Sequence, residues 1–265
     1  MENKQVEIIL RNVQEIGQKL KGQRNFKIDQ KSGIQDLVTS MDKNTEIALR
    51  QCLREVTPDC TFIGEEGTQE MSKKVWIIDP IDGTTNFINS QEGYAISLGY
   101  FEDAKPVLGI VYDVASETLY HAFDQRAYIN GIQVLDLPEI RSLSESVWDA
   151  GVATMHKNPK LFDLCRITRG HRELGSAALA IIKVALGKLD FYVTENAKCW
   201  DYAGGIPFLK ACQGTCWMRD DFFVCTPNLM VVARSEEVLE QVKSYLKIII
   251  VSGEGLKYNT LEKGR

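Results

Sequence analysis

The sequence has no apolar run approaching the ~20 residues that a membrane-spanning helix needs, so no membrane segment is expected. Histidine is scarce: His121, His156 and His171 are the three in the chain, and no ligand-like spacing joins them. Neither a histidine metal cluster nor a Ser-His-Asp order is legible, and each histidine is expected to be a surface or packing residue. Positive charge is also short, with 31 Lys+Arg against 36 Asp+Glu and a formal charge of -5. That balance argues against a nucleic-acid coat or a polybasic membrane binder. It also excludes a pocket dominated by Lys and Arg, so any phosphate handled here is expected to be met by metal ions. The seven cysteines are odd in number and show no framework spacing. With no signal-like apolar stretch after Met1, the expectation is a cytoplasmic protein with reduced thiols. Cys212 and Cys216 stand as C-x3-C with too few histidines for a zinc site, and are expected to be buried thiols.

What is present is ordinary for a globular chain: 265 residues, 44% hydrophobic and 25% charged, enough for one large domain or two modest ones. Val6, Ile9, Leu10, Val13, Ile16 and Leu20 recur at helical spacing. Residues 25–37 read as a loop, followed by a helix from about Thr39–Asp42 to Arg54 with Ile47, Ala48, Cys52 and Leu53 as its buried stripe. Short strands follow at Thr61–Ile63 and Val75–Ile78, then a run of strands to Ile129, with Asn130-Gly131 as a hairpin turn. The second half alternates helix and strand. Ser176 and Ser235 are expected helix caps. The expected fold class is α+β, in a segment 1–140 and a segment 141–265.

The strongest candidate site is Asp79-Pro80-Ile81-Asp82-Gly83-Thr84-Thr85, at the end of the apolar strand Val75–Ile78. Two carboxylates this close repel when both ionise, unless a cation lies between them. Hard oxygen ligands suit Mg2+, which is commonly held by a few carboxylates, water and substrate phosphate. Gly83, Thr84 and Thr85 supply backbone N–H groups, and a helix starting there offers an anion site. The plain alternative is a capped acidic turn. Glu65-Glu66 and Trp200-Asp201 add carboxylates at other element ends, where an isolated acid is ordinarily a cap; Asp36 and Asp42 flank Leu37-Val38-Thr39. Haloacid-dehalogenase-type phosphatases use a strand followed by Asp-x-Asp-Gly-Thr, with the first Asp as nucleophile. Here that position is Pro80, which favours an activated water over an aspartyl-phosphate.

These residues resemble the inositol monophosphatase family. Its first signature stands complete from Trp76-Ile77-Ile78-Asp79 through Phe87, its second as Trp200-Asp201-Tyr202-Ala203-Gly204. Gly64-Glu65-Glu66, Asp36-Leu37-Val38-Thr39 with Asp42, and Gly175-Ser176-Ala177-Ala178-Leu179 also agree. The resemblance implies a layered αβαβα sugar-phosphatase fold, a homodimer, and Mg2+-dependent, Li+-sensitive hydrolysis of a small phosphate ester. It implies that Glu65, Asp79 and the Ile81 carbonyl hold a first metal, and Asp79, Asp82 and Asp201 a second, with a third held weakly near Glu65. It places Thr84, backed by Asp42 and beside Glu65, on the nucleophilic water. Gly83, Thr84 and Thr85 receive the phosphate, and Lys31 lies near it. Segment 1–140 then carries the main metal motif, and 141–265 the last metal Asp and part of the substrate pocket.

The departures bear on substrate. Seven residues before the metal Asp the family usually has a Glu that contacts a sugar hydroxyl. Here Thr194 stands there, with Glu195 beside it as the expected replacement. Inositol 1-phosphate is the expected substrate. NADP, cleaved at its 2'-phosphate, and fructose 1,6-bisphosphate are the enzyme alternatives, and an idle metal- or phosphate-binding regulator is the non-enzyme one.

Overall fold

The computed structural model describes residues 1–33, 36–67, 69–223 and 225–246, with the side chains of 30–33 and 36 outside that description. Helix α1 (Asn3–Leu20) buries Val6, Ile9, Val13 and Leu20, the single apolar stripe of a helix lying on a sheet. The expected loop over 25–37 is instead a hairpin, β1 (Ile28–Gly33) antiparallel to β2 (Asp36–Thr39). Its residues 27–29 are exposed, so the segment lacks the alternation that marks a half-buried strand. Helix α2 (Ser40–Val56) starts on a capping box in which the Thr39 hydroxyl accepts from Met41 N and Asp42 accepts from Thr39 N. Its buried face is Asp42, Thr45, Glu46, Leu49 and Leu53; Ile47, expected inside, is 64% exposed. Polar residues hold that face because it looks onto the site.

The first segment continues with β3 (Thr61–Gly64), β4 (Lys74–Asp82), α3 (Thr84–Asn89), β5 (Ala95–Glu102), β6 (Lys105–Asp113), β7 (Thr118–Phe123), β8 (Arg126–Ile129) and β9 (Ile132–Gln133). Among the described residues these strands form a seven-stranded sheet in chain order, with β3 parallel to β4 and the rest an antiparallel meander. Asn130 and Gly131 both have positive φ, 49° and 80°, as a tight hairpin turn requires. Strand β4 runs past the apolar stretch to Asp82. Its register against β5 slips between Asp79 and Asp82, which face Ser97 and Ala95. Such a bulge re-aims side chains, here the two carboxylates.

The second segment holds β10 (Val147–Ala150), α4 (Val152–Lys157), α5 (Leu161–Ile167), β11 (Gly170–Arg172), α6 (Ala177–Ala185), β12 (Phe191–Ala197), α7 (Cys199–Ala203), α8 (Gly205–Ala211), β13 (Thr215–Met218), β14 (Asn228–Ala233) and α9 (Glu236–Lys243). Among the described residues its sheet runs β11-β10-β12-β14-β13, with β10 parallel to both neighbours and the other pairs antiparallel. Ser176 and Ser235 cap α6 and α9 as expected.

Alternation along the strands builds five layers. Trp76 and Ile78 pack with α1 and α2 on one face of the large sheet. Val75 and Ile77 share the opposite core with α6, α7, α8 and with Tyr192, Met230 and Val232 of the second sheet. Phe191, Val193, Val231 and Ala233 turn the other way, onto α4, α5 and α9. The order is αβαβα. Cys212 and Cys216 belong to the central core. Among the described residues no helix is long and apolar enough to cross a membrane.

The helix expected over Tyr202–Cys212 is two short ones, α7 and α8, joined at Gly204. The chain lies too close to the sheet there for any side chain: a Cβ on Gly204 would stand 2.5 Å from Ile110 O and 2.6 Å from Ser97 Oγ. Gly204→Ala is therefore expected to cost about 1–3 kcal/mol, read as a lower urea midpoint at unchanged m-value. An unchanged midpoint would show that the junction has room to spare.

Candidate active site

Five carboxylates reach one region from different elements. Asp79 and Asp82 come from the bulged end of β4, Asp201 from α7, Asp42 from the first turn of α2, and Glu65 from the loop after β3. Burial holds the Asp79 carboxyl protonated well above the usual carboxylate range, and the charges of Glu65, Asp82, Asp201 and Asp42 add to the effect. Burial raises Asp82 to about 6 against the pull of the Ser176 hydroxyl and the Ala178 and Ala177 amides. Burial also lifts Asp201 well above its ordinary value, opposed by the Lys198 amide and helped by Asp82 and Glu65. Asp42, wholly buried, is raised to about 6 by desolvation, against its bonds from Thr39.

Asp79, Asp201 and Asp82 each rest on local donors. Asp79 Oδ1 accepts from Ile81 N at 3.1 Å, and Asp201 Oδ2 from Lys198 N at 2.8 Å. Asp82 spans the two segments: Oδ2 accepts from the Ser176 hydroxyl and from Ala178 N at 2.8 Å, Oδ1 from Ala177 N at 3.2 Å. It thus sits on the positive end of α6. Among the described residues no group of three or more His, Cys, Asp or Glu side chains is already gathered to hold a metal ion. The donor chemistry still fits a hard divalent cation: all-oxygen, buried, and carrying more negative charge than the site can hold alone.

Gly83 (φ 94°) turns the chain from β4 into α3, and a Cβ there would press on the Gly175 and Gly93 carbonyls at 3.1 Å. The first-turn N–H groups of Gly83, Thr84 and Thr85 follow, the part of a helix that has no acceptor of its own. The Thr84 hydroxyl faces two acceptors, Asp42 Oδ1 and the Ile81 carbonyl, each at 3.1 Å. Asn86 clamps the second segment onto this turn, donating to Gly93 O and Leu174 O at 2.8 Å each.

The other candidates divide between the cleft and the rest of the molecule. Glu195 does not face the cleft: on β12, Tyr192, Thr194 and Asn196 line it, and Glu195 turns away to accept from Asn158 Nδ2 at 2.6 Å and Arg219 Nη2 at 3.1 Å. The strand's two-residue period decides this, and the bulge between Thr194 and Ala197 does not reverse it. The Lys31 side chain lies outside the described residues. His121 stacks on Tyr128 with its pKa lowered to about 4 by burial, and His171 bonds the Ala150 carbonyl at 2.8 Å, both away from the cleft. His156, by contrast, lines the cleft. Arg169 pairs with Glu145 at the surface, 3.7 Å apart.

Two functional features escape sequence reasoning. Glu46, buried in α2, accepts from Glu66 N at 2.8 Å and Arg50 Nε at 2.7 Å, and so holds the loop that carries Glu65. A Cβ on Gly64 or Gly67 would collide with its carboxylate. The available signal is the spacing 42-46-49-53, which places a charged residue on the buried stripe. The second feature is a cleft of about 670 Å³ running from Asp82 and Asp201 past Asp149, Thr154 and Glu173.

The sequence model of the Inositol monophosphatase family matches residues 2–248. The chain is 39% identical over 198 residues to an inositol-1-monophosphatase of Bacillus subtilis, covering 71% of this chain and 74% of that protein. It is 36% identical over 188 residues to a fructose-1,6-bisphosphatase/inositol-1-monophosphatase of Thermotoga maritima, covering 71% and 73%. A solved structure of an IMPase/NADP phosphatase complexed with Mg2+ and phosphate superposes with a TM-score of 0.82 at 26% identity, covering 97% of each chain.

Proposed function

The chain belongs to the inositol monophosphatase family of Mg2+-dependent phosphomonoesterases, and from this premise we propose that it hydrolyses inositol 1-phosphate and similar polyol phosphates. The observation that carries the reading is the buried carboxylate group at the start of α3, with Thr84 bonded to Asp42 beside it. In this reading Glu65, Asp79, Asp82, Asp201 and the Ile81 carbonyl hold two or three Mg2+ ions. When bound, Mg2+ supplies charge neutralisation for the dianionic ester and lowers the pKa of water.

The chain's own residues do the rest. The Thr84 hydroxyl donates toward Asp42 and Ile81, which leaves its lone pairs to accept a hydrogen bond from the attacking water and fix its direction. Asp42, backed by Thr39, keeps that hydroxyl from rotating. The amides of Gly83, Thr84 and Thr85 receive the phosphate oxygens. Asn86 and Asp82 hold the Leu174–Ala177 turn against this wall, so both segments enclose one substrate. We retain the homodimer in this reading, together with the division into segments 1–140 and 141–265.

Phosphate release from inositol 1-phosphate, fructose 1,6-bisphosphate and NADP, each read as kcat/KM, tests the proposal. Expected are the highest value on inositol 1-phosphate, loss to background with EDTA, recovery with excess Mg2+, and inhibition by Li+. A rate that survives metal removal overturns the metal assignment. Metal binding without turnover on any ester supports the idle regulator instead, and preference for fructose 1,6-bisphosphate or NADP, as the names of two similar proteins suggest, moves the substrate.

A further inference from the structure

The cleft beyond the metal carboxylates is acidic. Asp149 and Glu173 line it together with Asp82 and Asp201, and among the described residues its lining has one basic side chain, His156, and no Lys or Arg. Lys157 stays at the edge, donating to Asn196 Oδ1 at 2.9 Å from an exposed position. Lys183 acts on Asp149 only through its field.

Asp149 stands out within this wall. It is 3% exposed in the middle of β10, in register with Arg172 of β11 and Tyr192 of β12. Its Oδ2 accepts from Leu174 N at 2.9 Å and helps fix the turn that brings Ser176 and Ala177 to Asp82. Its Oδ1 accepts no bond from any described residue, and Asp149 lines the cleft. That oxygen keeps its accepting capacity for an entering hydroxyl. Glu173, exposed on the same wall, holds Val152 N with Oε1 at 3.2 Å.

We propose that Asp149 determines specificity on the leaving-group side: Oδ1 accepts a hydroxyl of the departing polyol, and with Glu173 it repels leaving groups that carry a second phosphate. Thr194, which lines the cleft on the neighbouring strand, cannot supply that charge. The inference rests on the phosphomonoesterase reading and names its substrate class as an uncharged polyhydroxyl alcohol.

Asp149→Asn tests it. The amide oxygen keeps the bond from Leu174 N, while the NH2 group replaces an acceptor by a donor and removes the charge. The ratio of kcat/KM on inositol 1-phosphate to that on p-nitrophenyl phosphate, which has no hydroxyl to offer, is expected to fall about tenfold, mainly through KM. The KM for fructose 1,6-bisphosphate is expected to fall. Glu173→Gln should move both readouts the same way by a smaller factor. Selectivity unmoved in both variants overturns the inference, as does a parallel loss on every ester, which marks Asp149 as a structural support of the turn. A wild-type enzyme that releases phosphate from no monoester refutes the phosphomonoesterase reading itself and this inference with it, so the two failures are distinct.

Discussion

Asp79→Asn is expected to lower phosphate release by about a thousandfold or more, and to raise the melting temperature of the metal-free protein. The first effect follows from the ligand role proposed for Asp79, since charge neutralisation at a phosphate is worth several kcal/mol and each 1.36 kcal/mol is a factor of ten. The second follows from electrostatics. Asp79 is buried among four other carboxylates, so folding must either hold its charge out of water or protonate it. An amide avoids both costs and keeps the one bond Asp79 receives, from Ile81 N. In a domain of this size 1 kcal/mol moves the melting point by about 2–4 °C, so a rise of several degrees in EDTA is expected. Saturating Mg2+ should stabilise the wild type and leave the variant nearly unmoved. Thermal unfolding with and without Mg2+, beside single-substrate kinetics, decides the matter. A variant with full turnover, or one less stable than wild type in EDTA, refutes the assignment.

Much of this arrangement is written locally. The stripe of α1, the apolar run of β4 and the serine caps of α6 and α9 are read from spacing alone, because one face or one terminus of each element decides its burial. The signature from Asp79 to Phe87 is equally plain: a strand end, a proline, a left-handed glycine and the first turn of α3 must follow in that order. What escapes depends on distant partners. Gly204 breaks a helix because β5 and β6 pass beneath it; Gly204-Gly205 and Pro207 mark an altered local shape in the sequence, but not the strand pair that causes it. Glu195 carries the right chemistry for a sugar contact, yet the pleat of β12 turns it toward Arg219. Asp149 lies in a four-residue strand with no motif, and its meaning comes from the parallel neighbours that bury it. Glu46 resembles half of a surface ion pair until Gly64 and Gly67 are seen packed against its carboxylate.

The same carboxylates reverse the usual acid response. In metal-free protein the melting temperature is expected to rise as pH is lowered from 8 to 6. A carboxyl whose pKa is higher folded than unfolded binds more protons in the folded state. Its stability contribution therefore falls as pH rises from its unfolded value, near 4, through its folded value. Asp42 and Asp82 reach about 6, Asp149 about 7, and Asp79 and Asp201 are raised well above the ordinary carboxylate range, all through burial first. Protonation across pH 8 to 6 thus relieves part of the penalty, with Asp149 alone giving roughly 1 kcal/mol. His121 acts in the opposite sense. Its folded value of about 4 costs stability as pH falls through its ordinary 6.5, so by pH 6 it offsets roughly 0.8 kcal/mol of the gain and leaves the net rise to the carboxylates together. Mg2+ requires the deprotonated carboxylates, and its stabilisation should be largest at pH 8 and shrink toward pH 6. The Mg2+ and EDTA melting curves then converge on acidification, one falling and the other rising. Parallel curves, or a metal-free melting point that drops between pH 8 and pH 6, would show that these carboxylates do not share one uncompensated field.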